Sequence, residues 1–277
     1  MANHNRQSAQ IKHPPCVLSV AGSDPTAGAG LQADLKSIHA LGGYAATAVT
    51  AVTVQNTHGV TQVAPLAGEL VAAQMRAVLA DLPVQAIKLG MLGDGAVTNA
   101  VADVLNDYAD IPLVADTVMR GGGGVNGDAL LADAAVSLFK QRIAPRAALI
   151  TPNIPETERL IGQSPRNEAQ MAGAARALCE QLGCGAALIT GGHLPGEMVM
   201  DLLYHAGQVR VFHAPRLPDA HGFHGTGCAL ASACAVGLAR GEAMEEAVSH
   251  AIGFVREAIV HAYNLGGGQW LLNHKAG

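Results

Sequence analysis

The chain has 277 residues, of which 49% are hydrophobic and 14% are charged, so it is long and apolar enough to bury one large core. This composition excludes a disordered protein, and an aromatic content of only 3% means that aliphatic side chains build the core. The net charge is −5 and Lys and Arg form no run, so we expect neither nucleic acid nor an anionic membrane surface as a partner.

No segment of the sequence predicts a membrane span or a secretion signal. The longest charge-free apolar stretch, Gly225–Ala239, is shorter than the roughly 20 residues that cross a bilayer. The polar segment Met1–His13 contains no apolar signal region. Five cysteines without a C-x-x-C pair and twelve scattered histidines predict a reduced, cytoplasmic protein without a metal-ligand cluster.

Two kinds of apolar pattern alternate along the chain after its polar beginning. We expect a flexible tail over residues 1–15 and a single domain over residues 16–277, because no break in composition divides the chain. Short runs rich in β-branched residues predict strands over Cys16–Ala21, Ala45–Val54, Ala86–Met91, Pro112–Met119, Ala147–Thr151 and Ala186–Thr190. Stretches of helical period predict helices over Leu31–Leu41, Gly68–Leu79, Ala96–Tyr108, Asp128–Gln141, Glu168–Leu182, Thr226–Ala239 and Met244–Tyr263.

The alternation of strands and helices indicates an α/β fold whose mostly parallel central sheet has helices on both faces. Met198–Tyr204 and Gln208–Phe212 predict an antiparallel hairpin that turns at Ala206 and Gly207. Ligands of such sheets bind at the carboxyl ends of the strands. Glycines and polar residues follow most of the predicted strands, so we expect the functional site at that edge.

Two familiar nucleotide-binding motifs are excluded. The segment Gly28–Ala33 matches G-x-G-x-x-A, but no acidic residue occurs between Asp34 and Glu69 to hold a ribose, so a nicotinamide site is rejected. The sequence contains no G-x-x-x-x-G-K-[ST] loop, which excludes a P-loop kinase.

The segment His224–Cys228 is the most informative, because it opens an apolar helix with two glycines and a threonine. Free backbone N–H groups and the helix dipole at such a position favour the binding of an anion. A cysteine in the first turn is expected to have its pKa lowered there. The plainer interpretation, a packed turn with a small buried cysteine, is favoured for this segment taken alone.

Three further positions have both a functional and a plainer interpretation. Asn153 and Glu156, three residues apart at a helix start, suit hydrated Mg²⁺, although helix capping explains the pair equally well and is favoured for it alone. Gln55 ends a strand, where its amide either bonds within a loop or reads the edge of a heterocycle. Lys88 lies inside a buried-strand pattern, where it either contacts a phosphate or, in the favoured plainer interpretation, is paired or extends its ammonium group to solvent.

Taken together, these segments resemble the hydroxymethylpyrimidine/phosphomethylpyrimidine kinases of thiamin biosynthesis, members of the ribokinase superfamily. The resemblance covers nearly all of Val17–Ala262 and implies a ribokinase-like three-layer α/β/α fold. Seven segments carry it in order: Ala21–Asp34, Ala51–Gly59, Lys88–Leu92, Asp116–Met119, Thr151–Glu156, Gly191–His193 and His224–Cys228.

The resemblance also implies roles for particular residues of this chain. Asp34 and Gln55 would hydrogen-bond a pyrimidine, with Gly22, Met91 and Val118 packed around its ring. Asn153 and Glu156 would organise Mg²⁺ and the phosphates of ATP through water, and Thr190 and Gly192 would lie beside those phosphates. The catalytic group would be the turn Gly225, Thr226, Gly227 and Cys228, whose backbone forms an anion hole and whose thiolate is a candidate general base. A homodimer is expected as well.

The sequence departs from the family pattern at two places near the expected phosphates. Thr190 stands where relatives usually carry lysine before Gly-Gly-His, and Arg120 is a candidate replacement cation. The segment Gly121–Gly127 is longer than in relatives and lacks their lysine. We expect this segment and Thr53–Gly59 to form a cover that becomes ordered when substrate binds.

These departures leave three functions open. The first is phosphorylation of hydroxymethylpyrimidine and of its monophosphate by ATP. The second is a pyridoxine/pyridoxal kinase, which acts on a similar ring-borne hydroxymethyl group. The third is a non-catalytic regulator that binds a pyrimidine, but a pure binder does not need the anion-binding turn Gly225–Cys228 or the pair Asn153 and Glu156.

Overall fold

The computed structural model describes residues 13–118, 133–217 and 222–275. The strands are β1 (Cys16–Ser23), β2 (Tyr44–Asn56), β3 (Gly59–Pro65), β4 (Ala86–Leu89), β5 (Leu113–Ala115), β6 (Leu149–Ile150), β7 (Ala186–Ile189), β8 (Met198–His205), β9 (Gln208–Pro215), β10 (Phe223–His224) and β11 (Trp270–Leu271). The α-helices are α1 (Gly30–Ala40), α2 (Gly68–Asp81), α3 (Gly95–Asp107), α4 (Asp133–Leu138), α5 (Ile154–Ile161), α6 (Glu168–Leu182), α7 (Thr226–Ala239) and α8 (Met244–Val260).

Nine of the described strands form one sheet in the order β3-β2-β1-β4-β5-β6-β7-β8-β9. Strands β1, β2 and β4 to β7 are parallel, while β3, β8 and β9 pair antiparallel at the two edges. The central strands are apolar throughout because both sheet faces are covered. In β1, for example, Val17 and Leu18 face opposite sides and both are completely buried.

Helices cover the sheet on both faces, which confirms the predicted three-layer α/β/α fold. Helices α2 to α6 contribute to the hydrophobic core on one face, and α1, α7 and α8 contribute to the core on the other. Helix α7 occupies residues 226–239, the range that the sequence predicted. The residues of α7 are small and apolar on all sides of the helix, because α7 packs between the sheet and the helices α1 and α8.

The structure differs from the predicted elements mainly at its edges. The sequence analysis missed β3, an edge strand whose side chains are mostly exposed and therefore lack an alternating apolar pattern. The predicted helix over Asp128–Gln141 is described only from Asp133 and passes into a π-helical turn at Phe139–Ile143. Residues 1–12, Arg120 and the glycine segment 121–127 lie outside the described residues, so the predictions for them remain predictions.

The order of the strands defines where a ligand can enter. Chain connections run from β1 outward to β2 and β3, and then from β4 onward in the opposite direction. The crevice at the carboxyl ends of β1 and β4 is therefore the expected binding position in a sheet of this type. None of the described helices has both the length and the apolar character that a bilayer crossing requires.

Candidate active site

A cavity of about 610 Å³ opens at the carboxyl edge of the sheet, as the strand order predicts. Its walls come from the ends of parallel strands, from the first turn of α7 and from one face of α8. The cavity brings together twelve of the thirteen residues that the sequence assigned to the site: Gly22, Gln55, Met91, Val118, Asn153, Glu156, Thr190, Gly192, Gly225, Thr226, Gly227 and Cys228.

The first turn of α7 has the geometry of an anion-binding site. Gly225 is the N-cap and adopts a φ of 83°, and no side chain caps the helix. A Cβ atom at Gly225 would lie 1.9 Å from the carbonyl oxygen of Gly28, so only glycine fits this turn. The N–H groups of the first turn have no partner within the helix, and Thr226, Gly227 and Cys228 line the cavity.

The expectation of an acidified cysteine is wrong for the chain without ligands. Burial raises the pKa of Cys228 to about 12; the neighbouring ammonium of Lys88 opposes this shift, whereas the carboxylates of Asp116 and Asp34 add to it. A thiol with this pKa is protonated at pH 7. Its backbone N–H keeps its place in the anion-binding turn.

Asp34, the thirteenth assigned residue, is not in the cavity wall. Its side chain is completely buried and forms an ion pair with Lys88, whose Nζ lies 2.8 Å from both carboxylate oxygens. The hydroxyl of Ser19 donates to one oxygen at 2.5 Å and that of Ser232 to the other at 2.8 Å. These contacts leave Asp34 no free face for a pyrimidine, which corrects the predicted substrate contact.

Lys88 is a buried, paired lysine, as the plainer sequence interpretation allowed. Burial alone would lower the pKa of its ammonium group, but the Asp34 carboxylate raises it. The pair joins α1 to β4 under the cavity, and Ser232 ties α7 to the same carboxylate one turn beyond Cys228. The network thus fixes the anion-binding turn relative to the sheet.

Asn153 and Glu156 form the helix-capping pair that the sequence favoured, and both also line the cavity. The Asn153 side chain accepts from the Glu156 N–H, and Glu156 Oε2 accepts from the Asn153 N–H at 3.0 Å. The hydroxyl of Thr117 donates to the same Oε2 at 2.8 Å. The capping contacts hold the Glu156 carboxylate at the cavity wall in a defined position.

Two oxygen atoms beside this pair have no well-aligned hydrogen-bond partner among the described residues. They are Oδ2 of Asp116, at the end of β5, and Oγ1 of Thr151, at the end of β6; both are buried side chains of the cavity wall. Burial raises the pKa of Asp116 to about 6, although Lys88 opposes the shift. The sequence analysis did not assign either residue a role, yet both lie near the carboxyl ends of predicted strands, the signal that located the site edge.

The end of the cavity near β1 and β2 suits a small planar ring. A Cβ atom at Gly22 would lie 2.3 Å from Cε of Met91, so the thioether of Met91 packs directly on the backbone of Gly22. Val118 adds a second apolar contact, and Gln55 supplies an amide. The amide of Gln55 lies beside His224, a buried side chain for which the sequence predicted no separate role.

The opposite end of the cavity is an apolar slot that the sequence analysis missed. Side chains of β9 and α8 line it: Phe212, Ile252, Val255 and Ile259. Two arginines, Arg216 and Arg256, also line the cavity, and Arg216 donates to the carbonyl oxygen of Gly192 at 2.9 Å. These residues are distant in sequence from the recognised segments, so no local pattern marks them as one surface.

Comparison with known proteins gives consistent results. The family model described as phosphomethylpyrimidine kinase matches residues 24–273. A hydroxymethylpyrimidine/phosphomethylpyrimidine kinase from Streptomyces coelicolor is 44% identical over 261 residues, which are 94% of each chain. The thiamine biosynthesis bifunctional protein ThiED from Geobacter sulfurreducens is 42% identical over 93% of this chain, which spans about half (52%) of that relative's length.

A solved structure also resembles the whole fold. The ADP complex of Bacillus subtilis pyridoxal kinase superposes on this chain with a TM-score of 0.86 and is 30% identical in sequence. The superposition covers 94% of this chain and 97% of that chain. The fold is therefore shared by kinases that are named for two different ring-borne alcohols.

Proposed function

We propose that this chain, which belongs to the phosphomethylpyrimidine kinase family, transfers the terminal phosphate of ATP to the hydroxymethyl group of 4-amino-5-hydroxymethyl-2-methylpyrimidine and then to the resulting monophosphate. The observation that carries the proposal is the uncapped first turn of α7, which lies between a ring-sized pocket and an apolar slot. A phosphate held by that turn is in reach of an alcohol on one side and of a nucleotide on the other.

The residues of the chain act mainly by positioning and by charge stabilisation. Gln55, Met91 and Val118 hold the pyrimidine ring so that its hydroxymethyl group faces the α7 turn. The backbone N–H groups of that turn donate to the oxygens of the phosphate in transfer, where negative charge accumulates. Because Cys228 is a neutral thiol, its backbone N–H rather than a thiolate carries its contribution.

The apolar slot supplies the nucleotide end of the reaction. Phe212, Val255 and Ile259 provide surfaces for a planar base, and Arg256 is a cation at the same end. The similar Bacillus subtilis pyridoxal kinase was solved as an ADP complex, so a nucleotide binds that relative. Thr190 and Gly192 lie in the wall between the slot and the α7 turn, where the chain of phosphates would pass.

The donor set of the site fits Mg²⁺. The buried oxygens of Asp116 and Thr151 and the oxygens of Asn153 and Glu156 are hard ligands of the kind that Mg²⁺ takes directly or through water. The ion would neutralise charge on the ATP phosphates.

A pyridoxine/pyridoxal kinase activity is the second candidate, and the structural similarity to the Bacillus subtilis pyridoxal kinase favours testing it. The higher identity to kinases named for pyrimidines supports the first function. The third function, a non-catalytic regulator, leaves the uncapped α7 turn and the buried Asp116 carboxylate of the cavity wall without a use.

An ATP-consumption assay distinguishes these functions. It is run with the pyrimidine alcohol, its monophosphate and pyridoxine-type vitamers as acceptors, and phosphorus NMR identifies each product. We expect the highest kcat/KM with the pyrimidine alcohol or its monophosphate. A preference for pyridoxine-type vitamers would establish the second function, and binding without turnover would establish the third.

We also propose that the chain is a cytoplasmic homodimer. All five cysteines are free thiols, which suits a reducing compartment. On β2, Val52 and Val54 are 50% and 56% exposed and lie on the same side of the strand, an apolar patch that a second copy would cover. Sedimentation of wild type and of Val54→Lys tests the proposal: the wild type should be dimeric and the variant shifted towards monomer.

A further inference from the structure

Two cysteines contact each other where α6 ends, away from the cavity. The Sγ atom of Cys184 lies 3.7 Å from that of Cys179. Cys179 is in the last turn of α6, and Cys184 comes two residues before β7. The opposite, carboxyl end of β7 is followed by Thr190, which lines the cavity. The two thiols are therefore at the far end of this strand from the site described above.

The backbone brings these two cysteines together. Helix α6 ends at Gly183, which adopts a φ of 74° and whose N–H donates to the carbonyl oxygen of Cys179 at 2.9 Å. In a glycine cap of this type, the residue after the glycine packs against the residue four positions before it, and these are Cys184 and Cys179. The next residue, Gly185, donates to the Ala147 carbonyl at 2.9 Å, which fixes the chain on the other side of the pair.

The two thiols differ in exposure and in acidity. Cys179 is half-buried, whereas Cys184 belongs to the hydrophobic core and is 6% exposed. The Cys184 thiol donates a hydrogen bond that lowers the pKa of Cys179, while burial and the Glu180 carboxylate act in the opposite direction. The same hydrogen bond and burial raise the pKa of Cys184. Cys179 is therefore the more reactive sulfur of the two.

The other three cysteines of the chain are less reactive than Cys179. Burial raises the pKa of Cys16, and it raises the pKa values of Cys228 and Cys234 to about 12. A thiol in its protonated form is a poor nucleophile towards a disulfide. An oxidant that reaches the folded protein is thus expected to react first at Cys179.

We propose that Cys179 and Cys184 are a site of reversible oxidation, at which a low-molecular-weight disulfide such as glutathione disulfide converts the two thiols into an intramolecular disulfide. The inference does not depend on the proposed function. The sulfurs approach each other by about 1.7 Å to reach the bond length of about 2.0 Å, and the half-buried side chain of Cys179 has room to turn.

The reaction has two exchange steps. The Cys179 thiolate attacks one sulfur of glutathione disulfide, so that a mixed disulfide forms and one glutathione thiolate leaves. The Cys184 sulfur then gives up its proton and attacks the Cys179 sulfur, which breaks the mixed disulfide and releases the second glutathione. The two protein thiols lose two electrons and two protons in total, and glutathione disulfide is reduced to two molecules of glutathione.

The test follows the mass of the folded protein after incubation with glutathione disulfide. The wild type should lose the mass of two hydrogen atoms, and a non-reduced digest should show the link between Cys179 and Cys184. Cys184→Ala should instead retain one glutathionyl group on Cys179, because no second thiol displaces it. Cys179→Ser should react at least about tenfold more slowly, since Cys184 is buried and protonated. Dithiothreitol should restore the original mass of each protein.

Cys16→Ala is the matched control, because it removes a buried cysteine outside the pair. It should form the same disulfide at the wild-type rate. The wild type should also keep its ATP consumption after oxidation, since neither member of the pair lines the cavity.

The outcomes are distinguishable. A wild type that accumulates glutathionyl groups without an internal link would overturn the pairing, and modification that begins at Cys228 would overturn the order of reactivity. Oxidation of Cys179→Ser as fast as wild type would do the same. Should Cys184→Ala fail to fold, as judged by circular dichroism, the wild type and Cys179→Ser decide. The masses are measured without substrate, so a failure of the proposed kinase activity leaves this result standing.

Discussion

The Cys228 thiol lies among two carboxylates and one ammonium group, and its ionisation decides its role. Burial together with Asp116 and Asp34 keeps it protonated despite Lys88 and the helix dipole. The sequence shows a cysteine at a helix start, a position that usually acidifies a thiol. It does not show that two acidic residues from other elements lie beside it, so the predicted pKa direction was wrong although the predicted position was right.

We predict that Cys228→Ser retains kcat within about tenfold of wild type, because the backbone N–H persists, whereas loss of a general base typically costs about 10²–10⁴. For the same reason kcat should not rise steadily with pH between 7 and 10, since a thiol with a pKa of about 12 remains protonated over this range. Single-turnover phosphate transfer, followed with Cys228→Ser and with wild type between pH 7 and 10, measures both quantities. A hundredfold loss in Cys228→Ser, matched by Cys228→Ala, would restore the thiolate as the base.

Asp116 illustrates a residue kept for function at a cost in stability. Its Oδ2 is buried without a well-aligned hydrogen-bond partner among the described residues, and burial raises the pKa of Asp116 to about 6, with Lys88 opposing the shift and Asp34 adding to it. We predict that Asp116→Asn raises the free energy of unfolding of the ligand-free protein by about 1–2 kcal/mol and lowers kcat/KM at least a hundredfold. Urea unfolding and the ATP assay measure the two effects. A variant that is both less stable and fully active would show that the carboxylate is structural.

At the scale of secondary-structure elements, the buried ion pair between Asp34 and Lys88 connects three parts of the fold. It joins α1, β4 and, through Ser232, the first turns of α7. Breaking such a pair leaves one buried charge without compensation, which costs more than replacing both partners.

We therefore predict that Lys88→Met lowers the free energy of unfolding by about 3–5 kcal/mol, and that Asp34→Leu combined with Lys88→Met lowers it less than Lys88→Met alone. The matched control is Arg76→Met, which removes an exposed ion pair with Asp107 and should cost less than about 1 kcal/mol. Urea denaturation provides all the values. A double variant as unstable as the sum of its singles would contradict the account.

The start of α7 allows a second paired test. Gly225 and Gly241 have nearly the same φ, 83° and 79°, but a Cβ atom would meet the Gly28 carbonyl at the first position and nothing within 4 Å at the second. Gly225→Ala should lose at least a hundredfold in kcat, whereas Gly241→Ala should cost only the backbone strain of about 1–2 kcal/mol and keep its activity. Equal activity in both variants would mean that close packing of the α7 turn is unimportant for transfer.

The sequence predicted those elements whose signals are local in the chain and missed those that depend on contacts between distant segments. The bounds of α7 follow from a local apolar run between Gly225 and Arg240, and the β8–β9 hairpin from its turn at Ala206 and Gly207. The two-residue strands β10 and β11 pair segments far apart in the chain, so no local period indicates them. Asp34 was misplaced for the same reason, because its partners Lys88 and Ser232 are 54 and 198 residues away.

At the scale of the whole molecule, the C-terminal segment connects the two halves of the cavity wall. The backbone N–H groups of Gly268 and Gln269 donate to Thr57 at the tip of the β2–β3 hairpin, and β11 pairs with β10 directly before the α7 turn. The ring of Trp270 packs edge-on against Phe223 at 6.3 Å. The hairpin that carries Gln55 and the anion-binding turn are therefore linked through one segment.

We predict that the hairpin tip, residues 56–59, and the segment 266–271 become protected together when the pyrimidine and a non-hydrolysable ATP analogue bind, because they share backbone hydrogen bonds. Amide hydrogen exchange followed by mass spectrometry should show at least tenfold slower exchange in both, with the surface helix α3 unchanged as the internal reference. Exchange that is the same with and without ligands would contradict the coupling between the hairpin tip and the segment 266–271.

The position of the cavity was predictable because most of its assigned residues lie at strand ends that the topology gathers at one edge. The apolar slot was not, since its side chains come from β9 and α8, two elements that are separate along the chain. Both parts depend on one claim, that the first turn of α7 holds the phosphate that is transferred.

The most direct measurement of that claim is a crystal structure with the pyrimidine alcohol, Mg²⁺ and a non-hydrolysable ATP analogue. We predict that oxygens of the terminal phosphate accept hydrogen bonds from the backbone N–H groups of residues 226–228 and that the hydroxymethyl oxygen faces the same phosphorus. A terminal phosphate bound elsewhere in the cavity, with these N–H groups left to water, would contradict the account.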